Sequence, residues 1–201
     1  SSSYIYGDTE TANQKPGLIY GVKLNGTQQI GYGYDELARL QQRILDTTTP
    51  FVTEYTYHIG AGANTTTTLV KTVKNGNNTL EYAYDEVGNI ISVKKNGTII
   101  EAYSYDALNQ LVSATYGGNT YTYAYDNGGN ITEVKTYDYT IADDLTGFDP
   151  SIDTYEYTDS KWKDLLTEFN DGSITYDDIG NPTEYHDGKQ FTWNFRRLER
   201  I

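Results

Sequence analysis

The chain has 201 residues and carries 15 Lys and Arg against 28 Asp and Glu, a formal net charge of −13. That balance speaks against nucleic acid or an anionic membrane as partner, because both recruit basic surfaces. No apolar run approaches the roughly 18 residues of a membrane-spanning helix, and the absence of Cys removes disulfides, thiolate nucleophiles and Cys-ligated zinc together.

Ser1, Ser2 and Ser3 lead directly into a Tyr-rich strand pattern without a signal-peptide signature. Met is absent, position 1 included, so the expectation is a processed chain or an excised segment. Tyr accounts for 21 residues against 5 Phe and 2 Trp. Tyr favours strands and joins an apolar body to a polar tip, so the composition predicts half-wet sheets in place of a thick apolar core.

In chain order, the first patterned element is the hairpin signal Asn25-Gly26, and the first aromatic string is Tyr32-Gly33-Tyr34-Asp35. The same frame returns as Tyr55-Thr56-Tyr57-His58, Tyr82-Ala83-Tyr84-Asp85, Tyr103-Ser104-Tyr105-Asp106 and Tyr123-Ala124-Tyr125-Asp126. Degenerate copies follow as Tyr155-Glu156-Tyr157-Thr158, Ile174-Thr175-Tyr176-Asp177 and Phe191-Thr192-Trp193-Asn194. These make eight units, with the second anchor at positions 34, 57, 84, 105, 125, 157, 176 and 193. A preserved frame with variable spacing predicts one repeat array over 1–201 whose insertions fall in loops. Anchors two apart share one face of a strand, and the residue between them is short in all units but that of Glu156. One face should carry aromatic ladders, with rings stacked between adjacent strands, and the other a low relief.

After each anchor pair comes a turn: Asp85-Glu86-Val87-Gly88-Asn89, Asp106-Ala107-Leu108-Asn109-Gln110, Asp126-Asn127-Gly128-Gly129-Asn130 and Asp177-Asp178-Ile179-Gly180-Asn181. The Asp side chain is expected to accept backbone N–H groups two residues on, while Gly or Asn supplies the positive φ that reverses the chain. Return strands such as Ile90–Lys95, Leu111–Tyr116 and Ile131–Thr136 run toward the tight-turn signals Asn75-Gly76, Asn96-Gly97, Gly117-Gly118, Asp171-Gly172 and Asp187-Gly188. The fold class is therefore all-β, an antiparallel meander of hairpins. Helical period is weak and confined to Leu37–Leu45 and Lys161–Glu168. Residues Ile59–Lys74, with Thr65 to Thr68 consecutive, read as an extended hairpin. Residues 136–153, with Asp143-Asp144, Gly147 and Asp149-Pro150, read as an acidic surface loop inserted between two units. An open sheet of this size cannot cover its own aromatic face, so the sheet should curve or wrap into a partial shell or barrel, and its open edges invite self-association.

The strings Tyr-x-Tyr-Asp-x-x-Gly-Asn-Ile at 82–90 and 123–131 are similar to the YD repeat of Rhs proteins, teneurins and the cocoon component of insecticidal Tc toxins. The tail, Asp159-Ser160-Lys161-Trp162-Lys163-Asp164-Leu165-Leu166 with Tyr176 to Pro182 and Phe191 to Leu198, resembles the last repeats of Gram-positive Rhs proteins. The resemblance covers about residues 18–201. It implies a ribbon of hairpins that spirals into a hollow shell around a C-terminal toxin or, in teneurins, closes a barrel at the cell surface. It also implies a bacterial secreted or cell-surface location, with neighbouring repeats and an enclosed toxin domain as partners. Two family features do not appear in this sequence. Asp149-Pro150-Ser151 only partly imitates the Asp-Pro-x-Gly motif at which Rhs proteins cleave themselves, and no toxin domain follows before Arg200-Ile201.

His58 stands where other units have the turn Asp, and His186 precedes Asp187-Gly188; neither has the convergent partners of a metal site or general base, and both read as surface turn residues. The oxygen-rich turns at Asp126–Asn130 and Asp177-Asp178 match no calcium-loop spacing. No Gly-x-Ser-x-Gly elbow occurs. The chain thus reads as a non-enzymatic scaffold without cofactor or metal. Its structural anchors are Tyr32, Tyr34, Asp35, Tyr82, Tyr84, Asp85, Gly88, Tyr103, Tyr105, Asp106, Tyr123, Tyr125, Asp126, Tyr176, Asp177, Gly180 and Trp193. The alternative is an adhesion module whose Tyr ladders stack on glycans.

Overall fold

A computed structural model describes residues 1–9, 14–46, 48–62, 65–194 and, by backbone alone, 197–200. Every regular element among the described residues is a strand. The chain divides into two compact units, Ser1–Ile100 and Glu101–Ile201. In the first, β1 (Ser2–Tyr6), β2 (Ile19–Leu24), β3 (Thr27–Tyr34), β4 (Leu40–Leu45), β5 (Phe51–Ile59), β6 (Thr66–Asn75), β7 (Asn78–Tyr84) and β8 (Ile90–Lys95) form an antiparallel meander, each strand paired with the one before it. In the second, β9 (Thr98–Tyr105, begun before the division), β10 (Leu111–Tyr116), β11 (Asn119–Tyr125), β12 (Ile131–Asp138), β13 (Ser151–Glu156), β14 (Glu168–Phe169) and β15 (Gly172–Ser173) continue the same way. Two separate two-stranded ribbons follow, β16 (Thr175–Tyr176) with β17 (Pro182–Glu184) and β18 (Thr192–Asn194) with β19 (Arg197–Arg200).

The fold is all-β, an antiparallel meander of hairpins. The stretch Leu37–Leu45 is turn and then strand, because β4 is paired along both edges, with β3 and with β5. A ladder on each side outweighs a weak helical period. Lys161–Glu168 is likewise a turn running into β14. The Thr-rich stretch is the β5–β6 hairpin, where the Thr56 and Thr72 hydroxyls face one another at 2.6 Å.

Tight turns at Asn25-Gly26, Asn96-Gly97 and Gly117-Gly118 have positive φ at both positions, as a type I′ turn requires. Three signals are realised differently. Asn75 pairs with Asn78 as the last rung of its ladder, so the turn is Gly76-Asn77. Phe169 pairs with Gly172, which moves the next turn to Asn170-Asp171, both with positive φ. Gly172 is a strand residue there through its pairing with Phe169, and a Cβ on it would collide with His186. Asp187-Gly188 belongs to a wider loop closed by Tyr185 N–H to Lys189 O and Gly188 N–H to Tyr185 O.

The two sheet faces differ as expected, but the aromatic face is assembled otherwise than as stacked rings. Register places Tyr82 opposite Val93, Tyr103 opposite Ala114 and Tyr123 opposite Val134. The second anchors meet Ile90, Leu111 and Ile131 in the same three pairs. Tyr-bearing strands alternate with aliphatic return strands, so a ring covers an aliphatic side chain rather than another ring. Such cross-strand pairs contribute roughly 0.2–1 kcal/mol each. Ring contacts do occur at particular sites, such as Tyr20 with Tyr34 at 5.2 Å and Tyr155 with Phe169 at 5.1 Å. The core is thin. Among the described residues Val93, Ala114, Tyr137 and Ile174 are the buried apolar side chains.

The connection 139–150 folds back over the low-relief face of β10 and β11. The Thr140 carbonyl accepts from the Thr120 hydroxyl at 2.7 Å and the Thr115 hydroxyl at 3.2 Å, and both threonines are buried. The loop is shorter than the 136–153 expected, because β12 runs to Asp138 and β13 starts at Ser151.

Candidate functional site

The recurring feature of the molecule lies at the rim where each aromatic strand ends. Asp35, Asp85, Asp106, Asp126 and Asp177 open five-residue turns built alike. In Asp126–Asn130 the Asp126 N–H donates to Asn130 O at 2.9 Å and the Gly129 N–H to Asp126 O at 3.1 Å. The Asp126 Oδ1 accepts from Gly128 N–H at 2.8 Å and Asn130 N–H at 2.9 Å, while Oδ2 accepts from the Asn130 amide at 2.9 Å. The Asp177 turn repeats this arrangement with Ile179 and Asn181, and the Asp85 turn with Val87 and Asn89. In the Asp106 turn Oδ1 accepts from Leu108 and Gln110 N–H. The fourth residue of each turn has positive φ: Ala38, Gly88, Asn109, Gly129 and Gly180. Gly88, at +97°, therefore stands where a branched side chain would be strained.

These bonds set the electrostatics. The Asn130 amide, then its backbone N–H, holds the Asp126 carboxyl below its ordinary range, and Asn181 does the same for Asp177. At Asp85 burial pushes upward, but bonds from Asn89, Val87 and Gly88 outweigh it. In the first turn Arg39 takes the Asn position. It pairs with Asp35 at 2.6 Å, lies 4.2 Å over the Tyr57 ring and donates to Thr66 Oγ1 at 2.7 Å.

The return strand carries an extra residue just after each turn. Gly33 pairs with Gln42 but Tyr34 with Leu40; Ala83 with Ser92 but Tyr84 with Ile90; Ala124 with Glu133 but Tyr125 with Ile131. The same shift precedes Tyr176 and Trp193. Bulges of this kind sharpen twist and end pairing at a rim. They also explain why the second anchor is Tyr. The β4–β5 ladder ends at Gln42, and the Leu40 carbonyl beyond it is taken by the Tyr57 hydroxyl at 2.7 Å. The β10–β11 ladder ends at Ser113, and the Tyr125 hydroxyl takes the Leu111 carbonyl at 2.7 Å. Tyr34 does so for Ile19 and Tyr84 for Val70, each carbonyl two residues past its last rung. Burial pushes the phenols of Tyr34, Tyr57, Tyr84 and Tyr125 up from their ordinary range, which keeps their hydroxyls protonated as donors. Where the accepting residue directly follows a turn, as Leu40 and Leu111 do, the bond ties one unit's anchor to the turn of the unit before.

All the expected anchor residues lie in these strands and turns. Tyr32 and Tyr34 are in β3, Tyr82 and Tyr84 in β7, Tyr103 and Tyr105 in β9, Tyr123 and Tyr125 in β11, Tyr176 in β16 and Trp193 in β18. The Trp193 indole N–H donates to Pro182 O at 2.5 Å, doing with nitrogen what Tyr does with oxygen. Tyr103 differs: burial, then a 2.8 Å bond to Glu101, pushes its phenol up to about 12. His58 is not a turn residue. It lies in β5, half-buried, with Nε2 2.9 Å from Tyr82 O and its ring edge-on to Tyr84. His186 packs at 4.6 Å on Phe169.

Sequence reasoning missed the loop 159–166. Tyr157-Thr158 lacks the turn Asp, and Asp159 caps instead, accepting from Lys161 and Trp162 N–H at 2.8 Å each. The Lys163 carbonyl accepts from Asn130 of one Asp turn, and the Trp162 ring lies where a Cβ on Gly180 of another would sit. The sequence marked this stretch by its likeness to the last Rhs repeats and by a weak helical period, neither of which shows the Asp159 cap or the seat of Trp162. Among the described residues no three His, Asp or Glu side chains converge as metal ligands, and no helix is long and apolar enough to cross a membrane.

Hairpins repeated in tandem, each closed by a turn of one design and in two cases bonded to the residue after the preceding unit's turn, define an all-β hairpin repeat. The teneurin YD-shell family model matches residues 25–161, and the chain belongs to that family. A Photorhabdus luminescens Tc holotoxin pore matches with TM-score 0.63 and 19% identity over 98% of this chain. The TcdB2–TccC3–Cdc42 crystal structure matches with 0.62 and 18% over 98%, and TcdB2–TccC3 with 0.55 and 17% over 90%. This chain spans 11% of each of those chains, so the likeness is one of fold over a short arc of them. No curated protein matches the chain.

Proposed function

We propose that this chain is an arc of the wall of an Rhs-type shell whose full-length protein encloses a C-terminal toxin domain outside the producing cell. The role is structural and not catalytic. The observation that carries the reading is the bond from a unit's second anchor to the carbonyl following the previous unit's turn, seen for Tyr57 with Leu40 and Tyr125 with Leu111. It couples nearest neighbours, and nearest-neighbour coupling lets a repeat array extend as a continuous wall. Membership of the YD-shell family and the fold shared with Tc toxin assemblies support the same reading. Glycan adhesion through the tyrosines draws less support, because the hydroxyls of Tyr34, Tyr57, Tyr84, Tyr125 and Tyr176 are already spent on backbone carbonyls.

The test is protease protection in the full-length protein. With the shell intact, the segment downstream of these repeats should resist digestion. Replacing Tyr57 and Tyr125 with Ala should open it to cleavage. Equal digestion of the downstream segment in both proteins, or its absence from the full gene, would refute encapsulation.

A further inference from the structure

Recesses also lie at the Asp35 turn and between the Asp106 and Asp126 turns, but the one formed by loop 159–166 is the one of these walled by a Trp. Its volume is about 450 Å³, and its walls include Asp159, Lys161, Trp162, Leu165, Tyr176 and Asp178. Trp162 rests on the Gly180 turn yet remains 45% exposed. Asp177 is consumed by its own turn, and Asp159 by the backbone of Trp162 and Lys161. The Asp178 carboxylate has no hydrogen bond or ion pair among the described residues. The surrounding charge is lopsided as well: residues 1–100 carry eight Lys and Arg against nine Asp and Glu, residues 101–201 seven against nineteen.

We propose that this recess is a docking site for an arginine side chain of a partner protein, its guanidinium laid on the Trp162 ring and paired with Asp178. Trp is the strongest cation–π platform, and Arg adds planar stacking and a two-pronged match to a carboxylate. The excess of acid in this half of the chain raises the local concentration of cationic partners. A neutral sugar could also use the ring and donate hydroxyls to the carboxylate, but only a cation adds charge pairing to both contacts. The site is independent of the shell reading.

The two tryptophans give two indole N–H resonances, and Trp162→Ala assigns them. Titration of the whole chain with the peptide Gly-Arg-Gly should shift the Trp162 resonance saturably, with Gly-Glu-Gly silent. Asp178→Asn should weaken binding about two- to fivefold, the effect of losing one partner of an exposed ion pair. Trp162→Ala also uncovers the Gly180 turn, so Asp178→Asn is the deciding variant. Unchanged affinity in Asp178→Asn would overturn the proposal, as would a shift produced by methyl glucoside and not by the arginine peptide.

Discussion

Strands of six to eight residues build β9 to β12, whereas β16 to β18 have two or three. Both regions nevertheless end their aromatic strands the same way. The Asp126 and Asp177 turns have matching bonds, and Tyr125 and Tyr176 each give their hydroxyl to a backbone carbonyl at 2.7 Å. The carbonyl lies 14 residues back for Tyr125 but 10 for Tyr176. The conserved part of the repeat is thus the rim, and the arms of the hairpin are adjustable. Insertions and short arms are tolerated because turn, bulge and hydroxyl bond close upon themselves whatever the strand length.

The largest test of that equivalence uses glycine. Gly88 and Gly180 both have positive φ, but a Cβ at 88 meets open space while one at 180 meets the Trp162 ring. Gly88→Val should cost about 1–3 kcal/mol from backbone strain alone. Gly180→Val adds overpacking of about 1–3 kcal/mol, whereas Lys95→Val, on an exposed strand position, should stay within about 0.5 kcal/mol. Urea unfolding midpoints would rank the three. Equal midpoints for the two glycine variants would show that the indole moves aside freely.

Aspartate comes next. Asp126→Ala and Asp177→Ala should each lower the urea midpoint, less than the glycine variants do, because each strips the partner from two backbone N–H groups that water can partly reach. Asn in the same place keeps Oδ1 as acceptor but turns an amide toward the Asn130 or Asn181 amide, so it should recover part of the loss. A costly Asp126→Ala beside a neutral Asp177→Ala would mean that the short-armed turn is held by Trp162 instead.

The sequence made the hairpin frame legible because its signals are local. Period-two aromatics, Asp before Gly-Asn and paired Asn-Gly each act within five residues. The bulge was hidden, since an extra residue in a return strand such as Thr132 or Ile91 leaves no mark until the partner strand is known. The stacked-ring expectation failed for the same reason: Tyr103 and Tyr123 look like neighbours when only aromatic strings are aligned, and the return strand β10 between them is overlooked. His58 and the two displaced turns depended on register as well. The Trp162 recess is tertiary throughout, made by residues some twenty positions apart.

Removing single hydroxyls probes a smaller effect. Tyr125→Phe and Tyr176→Phe should each cost about 0.5–1.5 kcal/mol, the net value of one hydrogen bond. The rings stay in place, so any difference between the two measures how well water can reach the abandoned Leu111 or Leu166 carbonyl. A loss in Tyr125→Phe with none in Tyr176→Phe would restrict the bond's importance to long-armed units.

The smallest effect is the acid limb of stability. Asp126 and Asp177 have folded-state carboxyls lowered from the ordinary 3.8 by Asn130 and Asn181. A lowered carboxyl contributes stability that is present above the unfolded value and is lost as pH falls through the folded one, because the unfolded chain then binds the proton first. Midpoints measured from about pH 5 to about pH 2.5 should therefore fall less steeply in Asp126→Ala than in the parent, and by a similar margin in Asp177→Ala. Both groups are solvent-facing, so salt should shrink the margin only slightly if hydrogen bonds cause the shift and strongly if long-range charge does. An acid limb unchanged in both variants would mean that the turns' amide contacts do not discriminate the charged carboxyl from the neutral one.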